Sequence, residues 1–235
     1  MIPKVIFQTS KYKLESYVKD MILELCPGWT HLHFTDDDII TFFRDNPLEE
    51  FPDIESKFHN FSCGAHRADL FRYYFLYLNG GVFLDSDAML ENNISTILQD
   101  YKLVFVQSPI HPKPHIFNGF ICCEPRHEIL FNALSHMYNF NVKNPPYHIF
   151  CEELYKIVFK FVDSRENSGV ACFSESLNHD RTTATTIDPD TRNKVLCHYF
   201  RSKIVPKKQK NATIILKRIM TTARTKLNLI LANFI

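Results

Sequence analysis

The sequence lacks a strong charge of either sign. Its 27 lysines and arginines nearly balance 26 aspartates and glutamates, for a formal net charge of +1. No global argument therefore points to a nucleic-acid partner. It also lacks an uncharged apolar stretch of about 18 residues, which excludes reading any segment as a spanning helix. A signal-peptide pattern is missing too: the apolar run from Ile2 to Gln8 is too short for an h-region, and Lys11, Lys13 and Glu15 follow at once. The expected location is cytoplasmic, and the N-x-[ST] matches at Asn60, Asn93 and Asn211 carry little weight without a secretion signal. Paired cysteine spacing is absent. The seven cysteines include one adjacent pair, Cys122 and Cys123, and no C-x-x-C. They read as reduced thiols, with Cys151, Cys172 and Cys197 in apolar surroundings. No repeat or long linker divides the chain. Its 235 residues, 45% hydrophobic, suit one sizeable core or one core with a small appendage.

What is present is an alternation of strand-like and helix-like runs. Lys4–Thr9 reads as a buried strand, and Leu14, Val18, Met21, Ile22 and Leu25 then share one helical face that Pro27 and Gly28 end. The single tryptophan, Trp29, reads as a packing residue. "THLHF" alternates as a strand would, and Thr35 is positioned to cap a helix with acids in its first turn. Strand, helix, strand, helix in that order predicts an α/β fold with a mostly parallel mixed sheet flanked by helices. A further helix is expected over Ala65–Leu78, closed at Asn79-Gly80-Gly81 by glycine in a left-handed cap. "VFL", "LVFVQ", "IFNGFICCE" and "KVLCHYF" read as strands, and "HEILFNALSHMYNF" and "CEELYKIVFKFV" as helices. The polar, Thr-rich stretch from Asp163 to Asp190 reads as a loop region with one strand at "GVACF".

The expected domain covers residues 1–206, and a basic amphipathic helical tail covers 207–235. That tail has seven lysines or arginines and no acid, with Leu216, Ile219, Met220, Ala223, Leu227, Ile230 and Phe234 on one stripe. Three readings stay open for it: a helix docked on the domain's own core, peripheral contact with an anionic membrane surface, or a protein partner.

The stretch "GGVFLDSDAML", Gly80 to Leu90, sets two aspartates after an apolar run. Strand residues i and i+2 point the same way, so Asp85 and Asp87 are expected to project from one side as the chain leaves the sheet. Ligands of open α/β sheets bind beyond the carboxyl ends of strands. Two carboxylates about 4 Å apart repel by roughly 4 kcal/mol at an effective dielectric of 20. A shared proton, splaying into water or a cation offsets that, and Mg2+ or Mn2+ fits best. Such an ion would hold a diphosphate. The plain alternative is a polar turn after a strand. Asp69 and Arg72, three apart on the preceding helix, share a face. They read either as a surface ion pair or as groups for sugar hydroxyls and phosphate oxygens. His111, His115, His127 and His136 show no metal-ligand spacing.

"IPKVIFQTS" followed by "RADLFRYYFLYLNGGVFLDSD" resembles glycosyltransferase family 32, the DXD-containing sugar-binding region. This family includes initiating mannosyltransferases and is similar in core to the glucosylating clostridial toxins. "FNGFICCEPRHEIL" is a weaker echo. The resemblance implies a GT-A-like nucleotide-binding domain and a metal-dependent hexosyltransferase that retains configuration. It implies Mn2+ or Mg2+, a UDP- or GDP-linked sugar donor, and a hydroxyl of a glycan, glycolipid or protein as acceptor. By position, Asp69 and Arg72 would bind the donor sugar, Asp85 ribose or sugar hydroxyls, and Asp87 the metal. Asp85 would share in the metal site. Gln8 and Thr9 fall at the nucleotide side, and Asn118 matches a strand asparagine near the reacting sugar. His198 is the candidate late histidine at the metal, a satisfied core or edge-strand histidine being its alternative. Arg201 and Lys203 could add positive charge. The family's histidine, tryptophan and tyrosine are replaced by Phe7, Ser10 and Phe83, with Tyr12 as a substitute base-stacking ring. These departures keep two other readings open: a sugar-nucleotide-binding module with weak or no turnover, and a metal-dependent phosphohydrolase.

Overall fold

The computed structural model describes residues 1–98, 101–110, 112–142, 144–163 and 169–201. His111, Lys203, the boundary expected at 206 and the basic tail lie outside the described residues. The amino-terminal half follows the expected order: β1 (Val5–Thr9), α1 (Ser16–Leu25), β2 (Thr30–Phe34) and α2 (Asp36–Asp45). α1 buries Val18, Met21 and Ile22 on one face. Thr35 caps α2 in a reciprocal capping box, its own N–H donating to the Asp38 carboxylate at 2.8 Å.

A short helix not legible in the sequence, α3 (Ile54–Asn60), leads into α4 (Gly64–Asn79). α4 is buried continuously from Asp69 to Tyr77, so no amphipathic stripe marks it. Its end differs from the left-handed cap expected there. Gly80 has φ 67° and ψ −165°, and Gly81 has φ 108°. Both positive-φ conformations favour glycine, and that of Gly80, with its extended ψ, is open to glycine alone. A Cβ at Gly80 would also lie 2.8 Å from the Cys123 carbonyl, and one at Gly81 2.8 Å from the Val5 carbonyl. The chain can thus turn hard from α4 into the centre of the sheet.

The remaining elements are β3 (Gly81–Leu84), β4 (Ala88–Leu90), α5 (Ile94–Ile97), β5 (Leu103–Ser108), β6 (His115–Ile116), β7 (Phe120–Cys123), α6 (Glu128–Asn139), α7 (Ile149–Asp163), β8 (Val170–Leu177), β9 (Ala184–Ile187) and β10 (Lys194–His198). Two expectations need correction. "IFNGFICCE" is broken at Asn118-Gly119 into β6 and β7, and the Thr-rich stretch contains β9 as well as β8.

The sheet is mixed, in the order β2-β1-β3-β7-β5-β8-β9-β10-β4, with β6 on β5. β1 pairs in parallel with β2 and β3, and β5 with β8. The other described pairings are antiparallel, so the parallel share is smaller than expected. The reason is connection length. Helices α1 and α4 supply crossovers for β1, β2 and β3, whereas the short links from β8 to β9 and from β9 to β10 permit only antiparallel neighbours.

Strands β3 and β4 adjoin in sequence but stand at the third and last places of that order. Asp85, Ser86 and Asp87 therefore bridge the middle of the sheet to its edge. Beneath this bridge lies a phenylalanine core. Phe7 packs against Phe75, Phe83 and Phe71 at centroid distances of 4.1, 5.2 and 6.1 Å. Two of the departures from the family pattern, Phe7 and Phe83, thus pack on each other. Trp29 packs as expected, 6% exposed with its indole donating to Ser95 Oγ at 2.7 Å.

Candidate functional site

Asp85 to Ala88 form a turn closed by the Ala88 N–H donating to the Asp85 carbonyl at 3.0 Å. The two carboxylates converge through this turn and not through strand alternation. Both ends of it are pinned. The Asp85 N–H donates to the Gly119 carbonyl at 2.8 Å, and the Tyr199 N–H to the Asp87 carbonyl at 2.9 Å.

His198 arrives from the opposite side. β10 pairs with β4 so that His198 faces Ala88, which sets its Nε2 3.6 Å from Asp87 Oδ1. Its Nδ1 lies 3.3 Å from Oε1 of Glu175 on β8. The Phe117 ring packs on the imidazole at 4.4 Å. Asp85, Asp87 and His198 each offer one ligand atom, all within 4.8 Å of one another, and no other such group occurs among the described residues.

The charges are coupled. Burial pushes the Asp85 carboxyl above its ordinary range; Arg72 pulls the other way, and the Asp87 charge reinforces the rise. Burial pushes on Asp87 too and is the largest single influence, but the interaction with His198, its own backbone N–H and the charge of Arg72 together outweigh it, and its pKa falls below the ordinary value. Burial disfavours a charged His198, yet hydrogen bonds to Asp87 and Glu175 raise its pKa to about 9. Without an ion, the imidazolium and the Arg72 guanidinium offset these acids.

Behind the turn sits Arg72, 4% exposed. Its Nη2 lies 3.6 Å from Asp85 Oδ1 and its Nε 3.5 Å from Asp69 Oδ1. It donates to the carbonyls of Asn118 and Ala68, and its guanidinium stacks 3.9 Å above the Phe83 ring. Burial opposes the charge, but Asp85 and then Asp69 hold it firmly protonated, with its pKa above the ordinary value. Asp69, 5% exposed, accepts from Asn118 Nδ2 at 2.9 Å. Burial drives its pKa up against the pull of Arg72. Tyr73 completes the set by donating to Asn118 Oδ1 at 3.0 Å. Asn118 lies in the break between β6 and β7 and not in a strand.

Gln8 is fully buried. Its Nε2 donates to the Asp85 carbonyl at 3.2 Å, and its Oε1 meets His31 Nε2 at 2.9 Å. Thr9 ends β1 opposite Phe34, half-buried. Ser10 lies 2.7 Å from His33 Nε2, and Tyr12 is exposed. Arg201 is exposed beside Phe200.

The structure thus brings Asp69, Arg72, Asp85, Asp87, Asn118 and His198 together, with Gln8 behind the turn. Three contributors escaped the sequence reading. Glu175 lay in a stretch read as loop, Tyr73 looked like core, and Gly119 gave no signal until its neighbours were known.

Residues 13–104 match the family described as glycosyltransferase sugar-binding region containing DXD motif. Over those residues the chain is similar to this DXD sugar-binding region. The match spans Asp69, Arg72, Asp85 and Asp87; Gln8, Asn118 and His198 fall outside it. Mannosyl phosphorylinositol ceramide synthase SUR1 of Saccharomyces cerevisiae is 28% identical over 147 residues, 60% of this chain and 36% of its own length. Inositol phosphoceramide mannosyltransferase 1 of Schizosaccharomyces pombe is 27% identical over 114 residues, 48% of this chain and 34% of its own. The chain therefore spans about a third of the length of the curated relatives it matches. PaToxG glycosyltransferase shares the α/β, GT-A-like fold, with TM-score 0.51 and 12% identity over 69% of this chain and 71% of that one. Around the DXD region, no helix of the described residues is long and apolar enough to cross a membrane.

Proposed function

We propose that this chain is a metal-dependent glycosyltransferase that moves a hexose from a nucleotide-diphosphate donor to a hydroxyl acceptor with retention of configuration. The names of the yeast relatives favour mannose as the sugar and an inositol-bearing glycolipid as the acceptor. The carrying observation is the convergence of Asp85, Asp87 and His198 within 4.8 Å beside a buried, charged Arg72.

Two carboxylates and one imidazole suit a divalent ion such as Mn2+. When bound there, it supplies Lewis-acid stabilisation of the departing diphosphate. The protein's own groups do the rest. Arg72 adds fixed positive charge behind the turn and holds Asp85 in place. Gln8 fixes the Asp85 carbonyl, so the carboxylate projects from a rigid turn. Asp69, held by Asn118 and Arg72, shapes the sugar side. Glu175 orients the His198 ring through Nδ1, leaving Nε2 toward Asp87.

Attack by the acceptor hydroxyl on the leaving-group face requires no enzymic nucleophile, whereas double displacement requires a carboxylate under the sugar ring. Three glutamates are engaged elsewhere, Glu152 with Lys113 at 3.2 Å, Glu153 with Lys156 at 2.7 Å and Glu124 with the amino terminus at 3.3 Å, and Asp69 on the sugar side is held by Arg72 and Asn118. The front-face route is the one these positions favour.

The test is donor hydrolysis and transfer with GDP- and UDP-linked hexoses, with Mn2+ and with chelator, for wild type and Asp87→Asn. The reading expects turnover that needs the ion and is lost in Asp87→Asn with the fold retained. Chelator-insensitive turnover contradicts it. A lipid acceptor also gives the basic tail from Lys207 a use at an anionic membrane surface. Truncation at residue 206 should lower flotation with anionic vesicles.

A further inference from the structure

The segment ahead of α7 carries Tyr147, whose side chain is unusual in this chain because it is aromatic and 62% exposed. The segment is tied to α4. His66, 2% exposed and one turn before Asp69, sets its Nε2 3.1 Å from the Tyr147 carbonyl. A carbonyl only accepts, so Nε2 carries a proton toward it. The ring's Nδ1 is buried and finds no hydrogen-bond partner among the described residues. The His66 and Tyr147 rings lie 6.2 Å apart, and Ser62 Oγ bonds Asn144 Oδ1 at 2.9 Å. Tyr147 is near the candidate site as well. Partial burial, then the charges of Asp69 and Asp85, raise the pKa of its phenol. The bond to His66 sets this segment about one helical turn from Asp69 on α4, and so beside the sugar-side acid.

We propose that Tyr147 is a stacking platform for a sugar ring at the transfer site, and that His66 is the positioning residue that holds it. This rests on the glycosyltransferase reading. The C–H face of a pyranose or cyclitol is apolar, and an exposed aromatic face at the rim of a polar site gives it a place to desolvate while its hydroxyls stay wet. The donor hexose and the acceptor ring share this chemistry.

The experiment compares wild type with Tyr147→Ala, Tyr147→Phe and His66→Phe, using GDP- and UDP-linked hexoses with Mn2+. Tyr147→Ala should raise KM for one of the two ring-bearing substrates about tenfold, with Phe close to wild type. Calorimetric affinity for the free nucleoside diphosphate should not change. A rise confined to donor KM puts the donor hexose on the ring; a rise confined to acceptor KM puts the acceptor there. His66→Phe should reproduce the KM effect of Tyr147→Ala while keeping free nucleoside diphosphate binding. Unchanged KM values in Tyr147→Ala, or an equal loss in Tyr147→Phe, overturn the platform. Should wild type transfer no sugar at all, the glycosyltransferase reading fails separately. Saturation-transfer NMR with free mannose and myo-inositol then decides the platform alone. A ring-proton signal seen with wild type and abolished by Tyr147→Ala keeps it. No signal with wild type, or an undiminished one with Tyr147→Ala, overturns it.

Discussion

Replacing Gly119 with alanine tests whether the carboxylate of Asp85 must stand where it does. A Cβ at this position would come closer than 3.0 Å to both the Phe117 ring and Asp85 Oδ2. Non-bonded contacts rest at about 3.5–4.0 Å, so ring and carboxylate must each retreat by at least about 0.5 Å. Phe117 is the ring packed on His198. One methyl group thus pushes on one candidate ligand directly and on a second through its neighbour. Overpacking of this kind costs about 1–3 kcal/mol of stability. Misplacing reacting groups by about 1 Å lowers turnover about 100-fold, so activity should fall far more than stability does.

The assay is donor hydrolysis with Mn2+, alongside thermal melting and Mn2+ titration. Gly64→Ala is the control. Its Cβ would meet only Arg67 Nη2, at 3.9 Å, in the first turn of α4. That change should stabilise the protein by about 0.4–1 kcal/mol and leave activity alone. Wild-type kcat/KM and Mn2+ affinity in Gly119→Ala would refute the reasoning.

Two further outcomes are expected. Arg72→Ala leaves Asp69 and Asp85 buried without their shared cation and should destabilise the fold by about 3–5 kcal/mol, seen as a large drop in chemical-denaturation midpoint. Nucleotide binding by whatever fraction stays folded should fall less than transfer does. His31 is held neutral, its pKa lowered to about 4 by burial and then by His33 and Lys19. The unfolded chain, titrating near 6.5, takes up a proton first. Its contribution to stability is therefore complete above pH 6.5 and is lost as pH falls toward 4. The size is about 1–2 kcal/mol once solvent screening of this half-exposed ring is allowed for. His31→Gln, which keeps a donor for Gln8, should flatten the acid limb of the stability curve between those values.

The helices with long apolar periodicity and the first strands were legible because their signal is local. Val18, Met21 and Ile22 announce α1 without help from any partner, and the capping residues Thr35 and Asp38 announce α2. β4 and β6, three and two residues long, carry no period to read and exist only because β10 and β5 lie beside them. The spacing of Asp85 and Asp87 marked the site, yet the convergence comes from a turn whose ends are held by Gly119 and Tyr199, residues distant in sequence. Glu175 reaches His198 only because β8, β9 and β10 fold back on one another. Asp69, Arg72 and Gln8 were expected as ligand-binding groups. Their burial and internal hydrogen bonds also tie them to one another and to the Asp85 turn, a long-range arrangement that no residue pattern encodes.

The account stands on a cation among Asp85, Asp87 and His198. Crystals soaked with Mn2+ and a nucleoside diphosphate, with data collected at the manganese absorption edge, measure that directly. The expected result is an anomalous peak bounded by those three side chains and the diphosphate. A nucleotide bound with no manganese at that place, or manganese bound at another, contradicts it.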